Sequence, residues 1–275
     1  MPTKISMTPD LKKRSILEPS GHFRPNDFQI LFTHIPDDCP LVGGQAVAWW
    51  AERYGVELSF DGHQTPVTSR DIDFWGGRED LNQLASRLKL KAVYPNSYEM
   101  TVWVGAIPFS IQGCKTLIEF IHTVPGLDTN NLSKACVQQE VSCVDGISRH
   151  IQILTPISLL LSKLHALRHF VQKDRQDEFH LRICLKCAKN FIMEMVEGDH
   201  IRPALWNIKR ITNCHSFKST QKLESLHKFS ILDAIPVDRL REFSENSAWP
   251  EESRAIVNRF CQSLNLEASD CGGCP

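Results

Sequence analysis

The sequence predicts an α+β fold: a mixed β-sheet domain with flanking helices, followed by a C-terminal helical domain. Three observations predict it. A short apolar strand, Leu41-Val42, runs through Gly43-Gly44 into a helix whose apolar residues, Ala46, Trp49, Trp50 and Tyr54, fall at i, i+3, i+4 and i+8. Further along, short runs rich in Val, Ile, Phe and Thr are separated by Gly, Pro or Asn, as strands and their turns are. At Thr155-Pro156 the pattern turns helical and stays so. Threonine at the cap and proline at the first helical position start a helix well.

Taken in order, residues 1–24 are polar, lack periodicity and read as an N-terminal arm. A helix is expected after Pro25, with Phe28, Leu31, Phe32 and Ile35 on one face, stopped by Pro36 and Pro40. After the Leu41–Tyr54 strand and helix, Gly55 opens a loop to residue 68 with Asp61-Gly62 as its turn. Arg70 to Trp75 alternates polar and apolar residues, with Ile72 and Phe74 on one face and Asp71 and Asp73 on the other. Gly76-Gly77 ends it, and Leu81, Leu84, Ala85 and Leu88 mark a helix. Strands are expected at Lys91–Tyr94, Thr101–Ile111, Thr116–Thr123, Glu140–Val144 and His150–Leu154. Helices are expected over 156–171, 175–197, 202–212, 218–228, 236–244 and 251–264. The domains are then 25–154 and 155–268, with a flexible tail over 269–275.

The 275 residues carry a net charge of −1, so bulk attraction to nucleic acid or membrane is excluded. The charge is uneven. Residues 1–155 hold 14 Lys+Arg against 17 Asp+Glu, residues 156–230 hold 13 against 7, and residues 231–275 hold 4 against 8. The basic middle segment suits a large anionic substrate, and reads equally as solvated helix faces. There is neither a secretory leader pattern nor an apolar run of about 18 residues, so a cytoplasmic location with no membrane span is expected, and the ten cysteines are expected as thiols.

Gly43-Gly44 stands where a strand turns into a helix. The first helical N–H groups lack partners there, the helix dipole favours an anion, and glycine lets phosphate approach. By itself the pair also reads as a tight turn. Asp71 and Asp73, at i and i+2 on a strand, project from one face about 6.6–6.8 Å apart at Cα. Like charges so placed repel unless a cation intervenes. Magnesium ions about 3.5–4 Å apart could neutralise them, and an oxygen-only donor set suits Mg2+ or Mn2+ rather than zinc.

Gly43-Gly44-Gln45-Ala46, a helix, then Ser69-Arg70-Asp71-Ile72-Asp73-Phe74 resembles the signature of the DNA polymerase β-type nucleotidyltransferase superfamily. It is most similar to the small prokaryotic branch, with AbiEii-like abortive-infection proteins and minimal antitoxin-type nucleotidyltransferases. The motif covers residues 41–75, and a looser likeness extends to about residue 190. The resemblance implies a nucleotidyltransferase-like fold with Mg2+ or Mn2+ as cofactor. It implies transfer of an NMP from an NTP to a protein or tRNA acceptor, and a place in a toxin–antitoxin or phage-defence module with a small cognate antitoxin or toxin. It implies a third metal carboxylate on a later strand, for which Glu119 in Thr116-Leu-Ile-Glu119-Phe-Ile-His122 is the candidate ahead of Glu99 and Asp128. Gly43, Gly44, Gln45 and Arg70 are expected at the nucleotide.

Lys163 lies on a largely apolar helix face among Leu159, Ala166 and Phe170. It either snorkels to water or meets phosphate, and the resemblance favours phosphate. Asp177 is read as contacting base, ribose or Lys163, or as a helix cap. Two departures from the family pattern, Gln45 in place of a small hydroxyl residue and Glu119 in place of Asp, motivate an alternative: an NTP-binding or interaction protein of the same fold with weak or no turnover. A third reading is an RNA-binding protein using the basic helical segment. His122 is expected to be structural, and His165, His169 and His180 to lie on polar helix faces. Cys184-x-x-Cys187 and Cys271-x-x-Cys274 have zinc-ligand spacing, but the first lies within a helix and reads as plain thiols.

Overall fold

Apolar residues at alternate positions assemble the sheet. Ile72, Phe74, Ile118 and Phe120 are fully buried, whereas Asp73 and Glu119 between them are half-buried. That period of two is what one covered face and one partly open face require. The computed structural model describes residues 21–60, 63–65, 67–96, 101–170, 176–247 and 249–263. The chain divides into two compact units, residues 1–180 and 181–275.

The first unit holds a six-stranded mixed sheet of β1 (Leu41–Val42), β4 (Ile72–Trp75), β5 (Trp103–Ile111), β6 (Cys114–Ile121), β7 (Cys136–Ser142) and β8 (Ser148–Leu154). Their lateral order is β5-β6-β4-β1-β8-β7. β4 runs antiparallel to β1 and parallel to β6, and β1 runs parallel to β8. The outer hairpins β5–β6 and β7–β8 are antiparallel. Asp73 therefore sits on an interior strand. β2 (Leu58–Phe60) and β3 (His63–Thr65) form a separate antiparallel pair within the stretch expected as loop, and the Asp61-Gly62 turn lies outside the described residues.

Among the described residues this unit has the helices α1 (Gln29–Phe32, after a 3-10 turn at Pro25–Phe28), α2 (Gly43–Arg53), α3 (Arg78–Leu88) and α4 (Pro156–His169), and the start of α5 (Asp177–Glu197). Trp50 on α2 is buried and its indole N–H donates to the Leu154 carbonyl at 2.9 Å, which ties α2 to the end of β8. Thr155 caps α4, its hydroxyl accepting from the Ser158 N–H at 3.3 Å, with Pro156 at the first turn. The expected Lys91–Tyr94 strand shrinks to one bridge, Val93 to Ala106.

Two boundaries differ from the expectation. The N-terminal arm is not polar lead-in throughout: Phe23 is buried, meets Phe28 edge-on at 5.7 Å and bridges Ser69. The unit boundary falls at 180/181, whereas the change of pattern at 154/155 suggests an earlier one. The reason is that α4 buries Ile157, Leu159, Leu160 and Leu164 and packs on α2.

The second unit contains the rest of α5, then α6 (Ile201–His215), α7 (Lys218–His227), a 3-10 turn at Ile231–Ala234, α8 (Val237–Glu245) and α9 (Glu251–Ser263). Ile192, Val196, Ala204, Ile208, Ile211, Ile231, Leu240 and Val257 are fully buried and form its core. Among the described residues no helix is long and apolar enough to cross a membrane. The tail over 269–275 lies outside the described residues.

Candidate functional site

Two strand pairings converge on Asp73. Val42 of β1 is its register partner on one side and Glu119 of β6 on the other. Gly43 follows Val42 directly, so the glycine turn is delivered onto the carboxylate strand. Gly43 has φ +67°, and a Cβ built on it would lie 2.7 Å from Asp73 Cγ and 2.9 Å from its Cβ. Both the backbone conformation and the close approach demand glycine here. The Gly44 N–H donates to the Asp73 carboxylate. A Cβ on Gly44 would lie 3.0 Å from Ser69 Cβ and 3.2 Å from His180 Cε1, so this position is also filled by neighbours.

The electrostatics are strained. The Asp73 carboxyl is pushed up to about 7, first by burial and next by the charge of Asp71. Lys163, the Gly44 N–H and a hydrogen bond with Glu119 pull it down without cancelling the rise. Asp73 keeps some surface as a residue, yet protein crowds its carboxyl closely enough for desolvation to dominate.

The segment entering β4 is pinned by Phe23 on one side and Thr116 on the other, and braced within itself. Ser69 exchanges two backbone hydrogen bonds with Phe23, at 2.9 and 3.1 Å. Its hydroxyl donates to Asp71 Oδ1 at 3.0 Å. The Thr116 hydroxyl donates to the Arg70 carbonyl at 2.8 Å, fixing this segment against the start of β6. From α4, Lys163 Nζ meets Asp177 Oδ1 at 3.1 Å, with side chains only 13% and 3% exposed. Lys163 is therefore held inside by Asp177 and acts on the Asp73 carboxyl, rather than reaching out to water.

Gln45 does not join the cradle. It is fully buried and its amide N–H donates to the Phe23 carbonyl at 3.0 Å, with the Ser69 carbonyl at 3.5 Å. Its Oε1 is enclosed without a hydrogen-bond partner. The expectation of a phosphate-binding side chain is corrected: α2 is buried on almost every side, so Gln45 points inward. Its role is to brace the Phe23–Ser69 bridge. Arg70 is exposed next to Asp71. His180, expected on a polar face, is buried against Gly44. Ser69 and His180 are the residues that sequence reasoning missed. Ser69 carried a signal, standing two residues before Asp71; His180 carried none. Asp128 caps a 3-10 turn by accepting from the Asn130 N–H at 3.0 Å, and Glu99 lies outside the described residues.

Among the described residues no three His, Cys, Asp or Glu side chains are grouped as a ready metal cage. Asp71 and Asp73, with Glu119 bonded to Asp73, are the carboxylates that could hold Mg2+ or Mn2+. Such ions take one or two carboxylates and complete their shell with water and substrate phosphate. A carboxyl that ionises reluctantly beside a second carboxylate is the local chemistry that a divalent cation relieves. Cys184 and Cys187 are both buried, and burial pushes the Cys187 thiol up. Cys271 and Cys274 lie outside the described residues.

Comparisons with protein-family models, with curated proteins and with solved structures give no match.

Proposed function

We propose that the first unit is a metal-dependent nucleotidyltransferase that moves an NMP from an NTP to a protein or RNA acceptor. The observation that carries this reading is the meeting at Asp73 of a glycine-started helix, two aspartates and a glutamate, set by the β1–β4 and β4–β6 registers. The first N–H groups of α2 would receive the β and γ phosphates. Asp71, Asp73 and Glu119 would hold Mg2+ or Mn2+. The bound ion supplies neutralisation of phosphate charge and alignment of an in-line displacement. Lys163 neutralises charge from the α4 side, with Asp177 keeping its ammonium in place. Ser69 orients Asp71. Positioning and charge neutralisation account for most catalysis of this type. The eight free thiols among the described residues suit a cytoplasmic setting. A toxin–antitoxin or phage-defence module, with a small protein partner, is the context the resemblance suggests.

One observation favours a second reading, an NTP-binding protein of this fold with weak or no turnover. Among the described residues a full three-ligand metal group is not assembled. A single experiment separates the two. The protein is incubated with each α-labelled NTP, Mg2+ or Mn2+, and protein and tRNA acceptors. Label transfer lost in Asp71→Ala and Asp73→Ala supports the enzyme. Nucleotide binding without transfer supports the second reading. Neither binding nor transfer overturns both.

A further inference from the structure

The exposed charge of residues 200–228 has one sign. Six lysines and arginines stand there against one acid, Glu224. Glu224 is buried, accepts from the Ile231 N–H at 2.7 Å and pairs with His215 Nδ1 at 3.0 Å, so it offers nothing to solvent. α6 contains no acidic residue at all.

The two faces of α6 are sharply divided. Ile201, Ala204, Leu205, Ile208 and Ile211 are buried and follow helical spacing. Arg202, Trp206, Lys209 and Asn213, at i, i+4, i+7 and i+11, form the exposed stripe. Trp206 is 57% exposed, and the Arg210 guanidinium lies 4.8 Å from its ring centroid. One exposed tryptophan alone is ordinary. An indole paired with a guanidinium, between two further cations and with no acid on the helix, is a stacking platform flanked by positive charge.

We propose that this face of α6 binds single-stranded nucleic acid, with bases stacking on Trp206 and the Arg210 plane and phosphates meeting Arg202 and Lys209. An acidic polypeptide would satisfy the charges but leave the indole–guanidinium surface unused, which favours the nucleic acid. The inference does not rest on the carboxylate site. If both hold, RNA is the acceptor class to test first.

The test uses the full chain and fluorescence anisotropy of end-labelled RNA and DNA oligonucleotides of about 12 nucleotides, with a polyglutamate peptide as competitor. Binding of either oligonucleotide is expected, weakening about 20-fold between about 50 and about 200 mM salt if three phosphates are contacted. Trp206→Ala should lose about 10-fold, while Trp206→Phe keeps most of the affinity because it keeps an aromatic face. Arg202→Glu with Lys209→Glu should abolish binding. Asp71→Ala and Asp73→Ala should leave it unchanged, which separates failure here from failure of the catalytic reading. Circular dichroism checks that each variant folds. No binding of either oligonucleotide at low salt overturns the proposal. So does affinity indifferent to Trp206→Ala, or stronger binding of polyglutamate than of the oligonucleotides.

Discussion

Asp73 and Glu119 are neighbours on parallel strands, and their carboxyl groups share a hydrogen bond. Glu119→Gln preserves length and hydrogen bonding while removing a charge. It should leave thermal stability close to that of the parent and lower Mn2+ affinity by about 10–100-fold, read by electron paramagnetic resonance. Equal Mn2+ affinity in parent and variant would remove Glu119 from the metal set.

Gly43→Ala should destabilise the protein by about 1–3 kcal/mol, because alanine resists φ +67° and its methyl meets the Asp73 carboxyl. Part of that cost is the collision and part the backbone. In an Asp73→Ala background the collision with the carboxyl group disappears and only the 2.9 Å approach to the Asp73 Cβ remains, so a double-mutant cycle by urea denaturation should show coupling of about 0.5 kcal/mol or more. Strict additivity would mean that the two residues do not touch in solution.

The Asp73 carboxyl is raised from an ordinary 3.8 to about 7 in the folded protein. The folded state thus holds this proton more tightly than the unfolded chain does. Its contribution to stability is complete below about pH 4 and is lost as pH rises through about 7. In EDTA, the melting temperature should therefore fall across that window, and Asp73→Asn should flatten the fall. Magnesium should restore stability at the alkaline end, where the carboxylate is ionised. A melting temperature that rises from pH 5 to 7 only in the parent would contradict the sign.

Lys163→Met removes the ammonium that pairs with the Asp177 carboxylate, whose side chain is 3% exposed. Breaking such a pair costs about 3–5 kcal/mol. Lys163→Met with Asp177→Leu should recover most of that stability but not nucleotide binding. Recovery of binding in the double variant would make the pair purely structural.

Gln45→Leu removes an amide that donates to Phe23 but also an oxygen that has no hydrogen-bond partner. The net destabilisation should be small, about 1 kcal/mol, because the Phe23 carbonyl keeps the Ser69 N–H at 3.1 Å and a buried oxygen without a partner is removed. NTP affinity, measured by calorimetry, should stay unchanged. A large loss of affinity with stability intact would return Gln45 to the nucleotide.

Period and punctuation made the element order legible. The helix expected over 218–228 is Lys218–His227, and that over 251–264 is Glu251–Ser263. Capping chemistry at Thr155-Pro156 told as much as the structure does. The alternation predicted a strand over Arg70–Trp75, but β4 begins only at Ile72, so Asp73 lies on the strand and Asp71 just before it. Strand order carried no local signal: Asp73 meets Glu119 through a parallel pairing that only tertiary closure decides. Gln45 misled because α2 is buried nearly all round, which leaves no polar face for an amphipathic reading to find. His180 was hidden for the related reason that its neighbour, Gly44, belongs to a distant element.

The pairing of Leu41 with Ile153 has a temporal consequence. β1, which presents Gly43 to Asp73, gains its second neighbour only when β8 has been made, 153 − 41 = 112 residues later. Closing so long a loop is entropically slow and comes late in folding. A chain still being synthesised, or one cut before residue 154, should thus carry both aspartates and both glycines yet lack a seated site. Ribosome-arrested chains of increasing length should acquire NTP binding abruptly once β8 clears the exit tunnel.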